Sequence, residues 1–515
     1  MKPGSKLHFI GIGGIGMSGL AQMCRDLGYT VTGSDRGYLR PENRRILDKL
    51  ELQGIRIYPQ DGSYRQDGAP DYLVYSTAVE EGNPDFVAGE GIPRLHRAAA
   101  LEAAVEQSGA ACTIAVSGSC GKSTVTAYLA ETLVNLGCDP ACLDGALVNR
   151  FTYGRFAGNY RSGDGRFFVF EADESDRSLL NYHPDYALVL NIGTDHYSKE
   201  ELADVFAKFL GNVRRGAVIS REVAELIGDR LPAGLPVTIF ESAIGAAGAW
   251  SVRRCRQAER TDAIYVDGDA APLDPFSGDR PASERFGVDN MLRVMGMRHE
   301  DFRLESKVFL AELGSGETIA LPQPGEHTAL NALAVMAMLE MIGGFDRASI
   351  AAALARFGGV WRRFDFHGFA ASGARVYDDY AHNPEKIASA FEAAREIADG
   401  RVFMVFQPHG YGPLGFMREE LYQVLARILR RGDEWLMLEP FYAGGTSSFR
   451  PTSEEVIGEY RVRSGKTAFL AMPDREHLSD YLLLKSRPGD VILIMGARDN
   501  SLSDYAESLC AAPRR

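Results

Sequence analysis

Two glycine-rich loops, each set between an apolar strand and a helix, constrain this chain more than any other feature. GIGGIG at 11–16 follows LHFI and runs into MSGLAQMCRDLG; GSCGKST at 118–124 follows ACTIAV and runs into VTAYLAETLVNLG. A strand that turns through glycines into a helix opens a βαβ unit, and the helix start offers unpaired N–H groups and the positive end of its dipole to an anion. In the first loop Gly11, Gly13 and Gly16, with Gly14 and Ile15 between them, permit a tight turn and close approach of a pyrophosphate. Asp35 ends the next strand, YTVTGSD, where a ribose-binding acid is expected. Alone this suits NAD, FAD, any other pyrophosphate-bearing nucleotide, or glycines kept only for helix–strand packing.

The second loop is more specific. Backbone N–H groups across Gly118, Ser119, Cys120, Gly121 and Thr124 can cradle phosphates, Lys122 can reach β/γ oxygens, and Ser123 can hold Mg²⁺. It departs from the full GxxxxGK[ST] pattern, because Val116 stands where that pattern has its first glycine.

Strand and helix alternate through the first hundred residues, with DYLVYSTAV a later strand and AALEAAVEQSG a bridging helix. The alternation restarts at ACTIAV, and RFFVFEADESD and YALVLNIGTDH read as strands ending in acids or His. Between 240 and 325 Gly, Pro, Asp and Ser become dense, which predicts short strands and loops; GEHTALNALAVMAMLEMIGG is then a buried helix. From WRRFDFHG a third α/β segment follows, with strands at ARVYDDYAH, RVFMVFQPHG, EWLMLEPF, TAFLA and DVILIMGA. Boundaries fall near 108 and near 360.

At 515 residues the chain is long enough for three or four domains. A net charge of −13 without a basic run argues against a nucleic-acid binder, though not against an anionic small substrate. The seven cysteines are unpatterned, which fits reduced thiols in a cytoplasmic protein. No run of about 20 apolar residues predicts a membrane-spanning helix.

EADESD at 171–176 crowds four carboxylates into six residues, either a solvated loop or a metal site. TDH at 194–196 puts His196 just beyond an apolar strand, as a candidate ligand to a second metal. In YDDYAHNP, Asp379 and His382 lie three apart and Pro384 starts a helix; His409 in FQPHGYG again follows an apolar strand. Either histidine could equally be packed structure.

In order and spacing, HFIGIGGIGMSGLA, SGSCGKST, EADESD, NIGTDH, HTALNALA, RRF, YDDYAHNP, FQPHGY and LMLEPFYAGG resemble the Mur ligase family of cell-wall synthesis, and its alanine-adding members in particular. The resemblance implies an α/β chain of three domains. Residues 1–108 would be a Rossmann-like UDP-sugar domain and 109–360 a P-loop ATPase-type domain enlarged at 240–325. Residues 361–515 would be a second Rossmann-like domain that brings the amino acid. It assigns GIGGIG and Asp35 to the UDP-sugar and GSCGKST to ATP. By the same likeness Ser123, Glu174 and His196 hold Mg²⁺, His327 and Asn331 meet adenine, Arg363 and Asp379 meet ATP, and His382 handles the incoming amine. The reaction implied is amide formation between UDP-N-acetylmuramate, or a close relative, and an amino acid, L-alanine first among them. The carboxylate is activated as an acyl phosphate, and the enzyme shields that intermediate from water.

The chain departs from the family pattern at several positions, most seriously on the amine side. The family loop GTHGKT is here changed at Ser119, Cys120 and Ser123; Thr328 and Asn383 replace Asn and His. Alanine-adding members carry QPHRY and a second Arg soon after, where this chain has Gly410 and Pro413; Arg418 is nearby but in a different geometry. A ligase for another amine or peptide therefore stays open, as does a non-catalytic sugar-nucleotide binder. A nicotinamide oxidoreductase would leave GSCGKST and EADESD without a role.

Overall fold

The computed structural model describes residues 1–40, 43–174, 177–193, 198–242, 250–258, 308–442, 449–465 and 467–510. They form two compact units, one of Met1–Arg256 with Phe309–Trp361, the other carried by the chain from Arg362. His196 and most of 240–325 lie outside the described residues.

The first unit holds two sheets. Strands β1 (Lys6–Ile10), β2 (Thr30–Asp35), β3 (Arg56–Pro59), β4 (Tyr72–Tyr75) and β5 (Arg94–His96) pair in the order β3-β2-β1-β4-β5, all parallel. Helices α1 (Ile15–Asp26), α2 (Arg44–Leu52) and α3 (Pro84–Ala88) lie between them, and α4 (Arg97–Ser108) leads on to the second sheet. The first glycine loop leaves β1, the strand at which the order reverses, and an open α/β sheet binds ligands at that point. DYLVYSTAV is strand only over Tyr72–Tyr75, while RIYP and RLH add two short parallel strands that the apolar pattern was too brief to mark.

The second sheet runs β15-β14-β13-β12-β11-β10-β6-β9-β7-β8. Its members are β6 (Cys112–Ser117), β7 (Ala141–Leu143), β8 (Tyr160–Arg161), β9 (Phe167–Glu171), β10 (Tyr186–Val189), β11 (Gly216–Ser220), β12 (Val237–Ser242), β13 (Ser251–Ala258), β14 (Val308–Leu313) and β15 (Thr318–Leu321). β6 is buried at every residue, as a central parallel strand must be. Helices α5 (Lys122–Asn135), α6 (Lys199–Gly211), α7 (Arg221–Ile227), α8 (Glu326–Ile342) and α9 (Arg347–Leu354) cover it. α8 is apolar almost all round and buries Leu333, Met336 and Leu339 in one core with Ile114, Val116 and Leu129. One continuous core runs from Phe9, Leu20 and Leu47 of the first sheet to Leu143, Phe168 and Phe170 of the second, so the two sheets form a single unit.

The second unit is a sheet β16-β17-β21-β18-β19-β20. It comprises β16 (Asp365–Phe369), β17 (Arg375–Asp379), β18 (Val402–Phe406), β19 (Glu434–Leu438), β20 (Phe469–Met472) and β21 (Val491–Met495), parallel except for the β16–β17 pair. Its helices are α10 (Pro384–Ile397), α11 (Tyr411–Ile428), α12 (Ser453–Ser464), α13 (Arg475–Lys485) and α14 (Ser501–Leu509). Pro384 opens α10 behind the Asn383 cap, which accepts the Lys386 N–H at 2.9 Å.

A charged cluster is buried near the start of this unit. Arg362, 1% exposed, donates to the carbonyls of Ala497 (3.2 Å) and Gly496, and its Nε lies 3.6 Å from Oδ2 of fully buried Asp378. His367 Nε2 stands 3.1 Å from the other Asp378 oxygen. Burial alone would lower the His367 pKa, but the hydrogen bond and charge of Asp378 outweigh it and raise the value above its ordinary 6.5. A folded-state pKa raised in this way adds stability below pH 6.5 that is lost as pH rises through the raised value. The denaturation midpoint of this unit is therefore expected to fall on going from pH 6 to pH 8 in a urea titration. His367→Gln should flatten that slope; an unchanged slope in the variant would remove His367 from the account.

Among the described residues no helix is long and apolar enough to cross a membrane, and Cys24, Cys112, Cys138, Cys142 and Cys510 carry free thiols.

Candidate active site

Most helices here begin on a side-chain cap: Asn83, His96, Ser198, Ser220, Asp346, Asn383, Thr452 and Asp474 each accept a first-turn N–H. Four begin instead on a glycine with no side-chain cap. These are α1 at Gly14, α5 at Gly121, α8 at Gly325 and α11 at Gly410. Neither α1 nor α5 carries an acid in its first turn. Their starts are left electropositive, which suits phosphate.

Asp35 shapes the first turn. Its Oδ2 accepts the Gly13 N–H at 2.8 Å and its Oδ1 accepts the Gly37 N–H at 2.7 Å. A Cβ on Gly13 would sit 2.7 Å from that carboxylate, so glycine is required for the clamp. The guanidinium of Arg97, the first residue of α4, lies against Gly16, where an added Cβ would come within 2.6 Å of Nη1.

The second turn is held from below by the strand end beyond β10. Asn191 accepts the Cys120 N–H through its side-chain oxygen (2.8 Å) and donates back to the Cys120 carbonyl (3.0 Å). Ser119 accepts the Gly193 N–H at 2.7 Å. Gly118 adopts φ +135°, and a Cβ there would press to 3.0–3.1 Å on Leu190 and the Asn191 backbone. With the Cys120 N–H engaged, the donors left for phosphate are those at the start of α5, over Gly121, Lys122, Ser123 and Thr124. Asn331 on α8 overlooks this turn: a Cβ on Gly121 would stand 3.7 Å from its Oδ1. His327, exposed in the first turn of the same helix, lies four residues before it.

Lys122 sits among carboxylates. Its Nζ is 2.6 Å from Glu174 Oε2 and 3.6 Å from Asp173 Oδ1. Glu174 is buried, and burial raises its pKa although Lys122 pulls the other way. Burial would lower the Lys122 pKa, but Glu174, Glu171 and Asp173 outweigh it and raise the value, so the lysine is firmly charged. Glu171 accepts the Gly145 N–H at 3.1 Å. Asp173 also faces Arg97, 4.0 Å from its Nη2. Gly16, Arg97, Asp173 and Lys122 therefore form a line of charge that joins the first glycine turn to the second. Arg97, Asn191 and Asp173 were not singled out from sequence. A cation at the first position of a helix opposes the dipole, and that was the readable sign of a role for Arg97.

The second unit gathers its own set. Asp379 accepts the N–H groups of Phe364 and Ala381, each at 2.7 Å; burial raises its pKa against the pull of Arg363. Arg363 lies over the Tyr380 ring at 5.1 Å, and His382 turns Nδ1 to the Tyr380 carbonyl at 2.9 Å. The rings of His382 and His409 meet edge to face at 5.3 Å. Arg418 is turned to another task, pairing with Glu459 at 3.3 Å.

Hard oxygen donors suit Mg²⁺, and the Ser123 hydroxyl beside Lys122 and the buried Glu174 carboxylate are donors of that kind.

A model described as the Mur ligase family, catalytic domain, matches residues 6–108, and one described as Mur ligase, glutamate ligase domain, matches 362–498. The chain is 30% identical over 527 residues to a UDP-N-acetylmuramate–L-alanine ligase of Ruegeria pomeroyi, covering 99% of both chains. It is 32% identical to the enzyme of that name from Carboxydothermus hydrogenoformans, covering 95% of this chain and 93% of that one. Among solved structures it is similar to the Thermotoga maritima UDP-N-acetylmuramate–alanine ligase (TM-score 0.72, 24% identity, 98% of each chain). It also resembles a murein peptide ligase of Psychrobacter arcticus (TM-score 0.59, 22% identity, 99% of this chain and 98% of that one).

Proposed function

The chain belongs to the Mur ligase family, and from that premise we propose that it joins L-alanine to the carboxylate of UDP-N-acetylmuramate at the expense of ATP. One observation carries the reading: two uncapped glycine turns in one unit, joined by Arg97, Asp173 and Lys122. One turn serves the UDP pyrophosphate and the other the ATP phosphates.

The chemistry asks little of the protein beyond placement and charge. The start of α5 and Lys122 draw the triphosphate in, and Lys122 neutralises charge that builds as the γ-phosphoryl moves to the sugar carboxylate. To do so Lys122 exchanges part of its contact with Glu174 for phosphate oxygens, which leaves Glu174 and Ser123 to hold Mg²⁺, with His196 a further ligand. Bound there, the ion supplies Lewis-acid charge neutralisation on the phosphates. Arg97 offers a cation at the sugar-nucleotide end. On this reading His327 and Asn331 border the adenine, Arg363 and Asp379 serve ATP, and His382 serves the amine. We assign domains at 1–108, 109–360 and 361–515 and the cytoplasm as the working compartment, where ATP is at hand.

The test is phosphate release from ATP with UDP-N-acetylmuramate and a panel of L-alanine, glycine, L-serine and a tripeptide. Release that requires both the sugar nucleotide and alanine is expected; release favouring the tripeptide would move the chain to a peptide-adding role, and none with any amine would reject catalysis. Gly13→Val should abolish UDP-N-acetylmuramate binding in calorimetry, because the side chain displaces the Asp35 clamp, and leave ATP binding within about 3-fold, since separate sites couple weakly. Loss of both would contradict two separate turns.

A further inference from the structure

Three neighbouring strands of the second unit end in register: Asp379 of β17 pairs with Met495 of β21, and Met495 pairs with Phe406 of β18. Three residues beyond these positions stand His382, Arg498 and His409. Arg498 thus leaves the middle strand between the two histidines, whose rings are 5.3 Å apart. Its loop is firmly built. Gln407 donates its N–H to Met495 O at 2.9 Å, a Cβ on Gly496 would touch Gln407 O at 2.8 Å, and Arg475 holds Asp499 at 2.6 Å. Arg498 itself is exposed and makes no ion pair among the described residues. Its charge is felt nearby: burial first, then His382 and Arg498, push the His409 pKa down to about 4, so His409 is neutral at pH 7.

The backbone leaves no room for a cation at the start of α11. Gly410 has φ 151° and ψ 159°, a region that side-chain-bearing residues scarcely enter. An arginine at 410 is incompatible with this loop. Pro413 occupies the first turn of α11, where its missing N–H is harmless, and it too brings no charge. α11 therefore carries no charged residue before Arg418, and the cation nearest the strand ends comes from the loop after β21.

We propose that Arg498 binds the carboxylate of the incoming amino acid, beside the uncapped start of α11 and between His382 and His409. The assignment rests on the ligase reading above. It makes Arg498 the residue that distinguishes a free amino acid from an amine lacking the carboxylate.

The experiment compares L-alanine with L-alaninamide in the phosphate-release assay, for wild type, Arg498→Met and Arg498→Lys, with ATP and UDP-N-acetylmuramate saturating. Wild type is expected to prefer alanine by about 30-fold or more in kcat/KM, the worth of a charge-assisted contact. Arg498→Met should bring the preference within about 3-fold, mainly through the KM for alanine, and Arg498→Lys should restore part of it. The KM for ATP should not move. A preference that survives in Arg498→Met, or a rise in the KM for ATP in its place, overturns the assignment while the ligase reading stands. A wild type that releases no phosphate with any amine overturns both.

Discussion

Lys122→Ala is expected to slow phosphate release by about 10²–10³-fold, the cost of removing one preorganised charge from a transition state. Lys122 lies 2.6 Å from Glu174 and 3.6 Å from Asp173, and its raised pKa keeps it charged at any pH the enzyme meets. The loss should appear in kcat as well as in kcat/KM, because the developing phosphoryl charge asks more of the lysine than ground-state ATP does. The fold should survive. Deleting the lysine leaves Glu174 buried without its partner, but burial already raises that pKa, so the carboxyl can take up a proton in place of remaining a bare charge. Circular dichroism and a thermal melt check the fold, and the coupled phosphate assay checks the rate. A slowing of less than about 5-fold would mean that the phosphates are held elsewhere, since even one donor is worth more.

The second large effect concerns stability. Arg362→Met should destabilise the second unit by about 3–5 kcal/mol, the range for breaking a buried ion pair from one side. Asp378 is fully buried, and its remaining neighbour His367 is charged only while protonated. In urea the transition of the second unit should move to lower concentration, and that of the first should stay. Arg362→Met with Asp378→Leu should recover much of the loss, because no charge is then stranded. A single variant with an unshifted midpoint, or a double variant worse than the single, would contradict the role given to this pair.

How far the chain could be read before its structure was known differs between local and long-range features. The glycine turns, the buried strand CTIAVS and the apolar helix Glu326–Ile342 are local patterns, and each stands where periodicity and turn chemistry put it. Asp35 was expected at a ribose; in the structure both of its oxygens are engaged by the backbone of Gly13 and Gly37. Arg97, Asn191 and Arg362 escaped notice because their partners are brought near only by sheet order. Asn191 meets Cys120 because β10 lies beside β6, and Arg362 meets Gly496 because β21 lies beside β17. Of the tandem arginines of WRRF only Arg363 is matched to a nucleotide contact; the structure places it over Tyr380 and buries Arg362. The departure at Gly410 was legible as a lost charge, but the compensating Arg498 needed the strand register to be seen.

The central claim is that the two glycine turns hold two different nucleotides at once. The most direct measurement is calorimetric titration of a non-hydrolysable ATP analogue into protein already saturated with UDP-N-acetylmuramate. The account predicts one further site per chain, with an affinity equal to or tighter than that of the sugar-free protein. Displacement of the sugar nucleotide by the analogue, with the two competing for a single site, would contradict it.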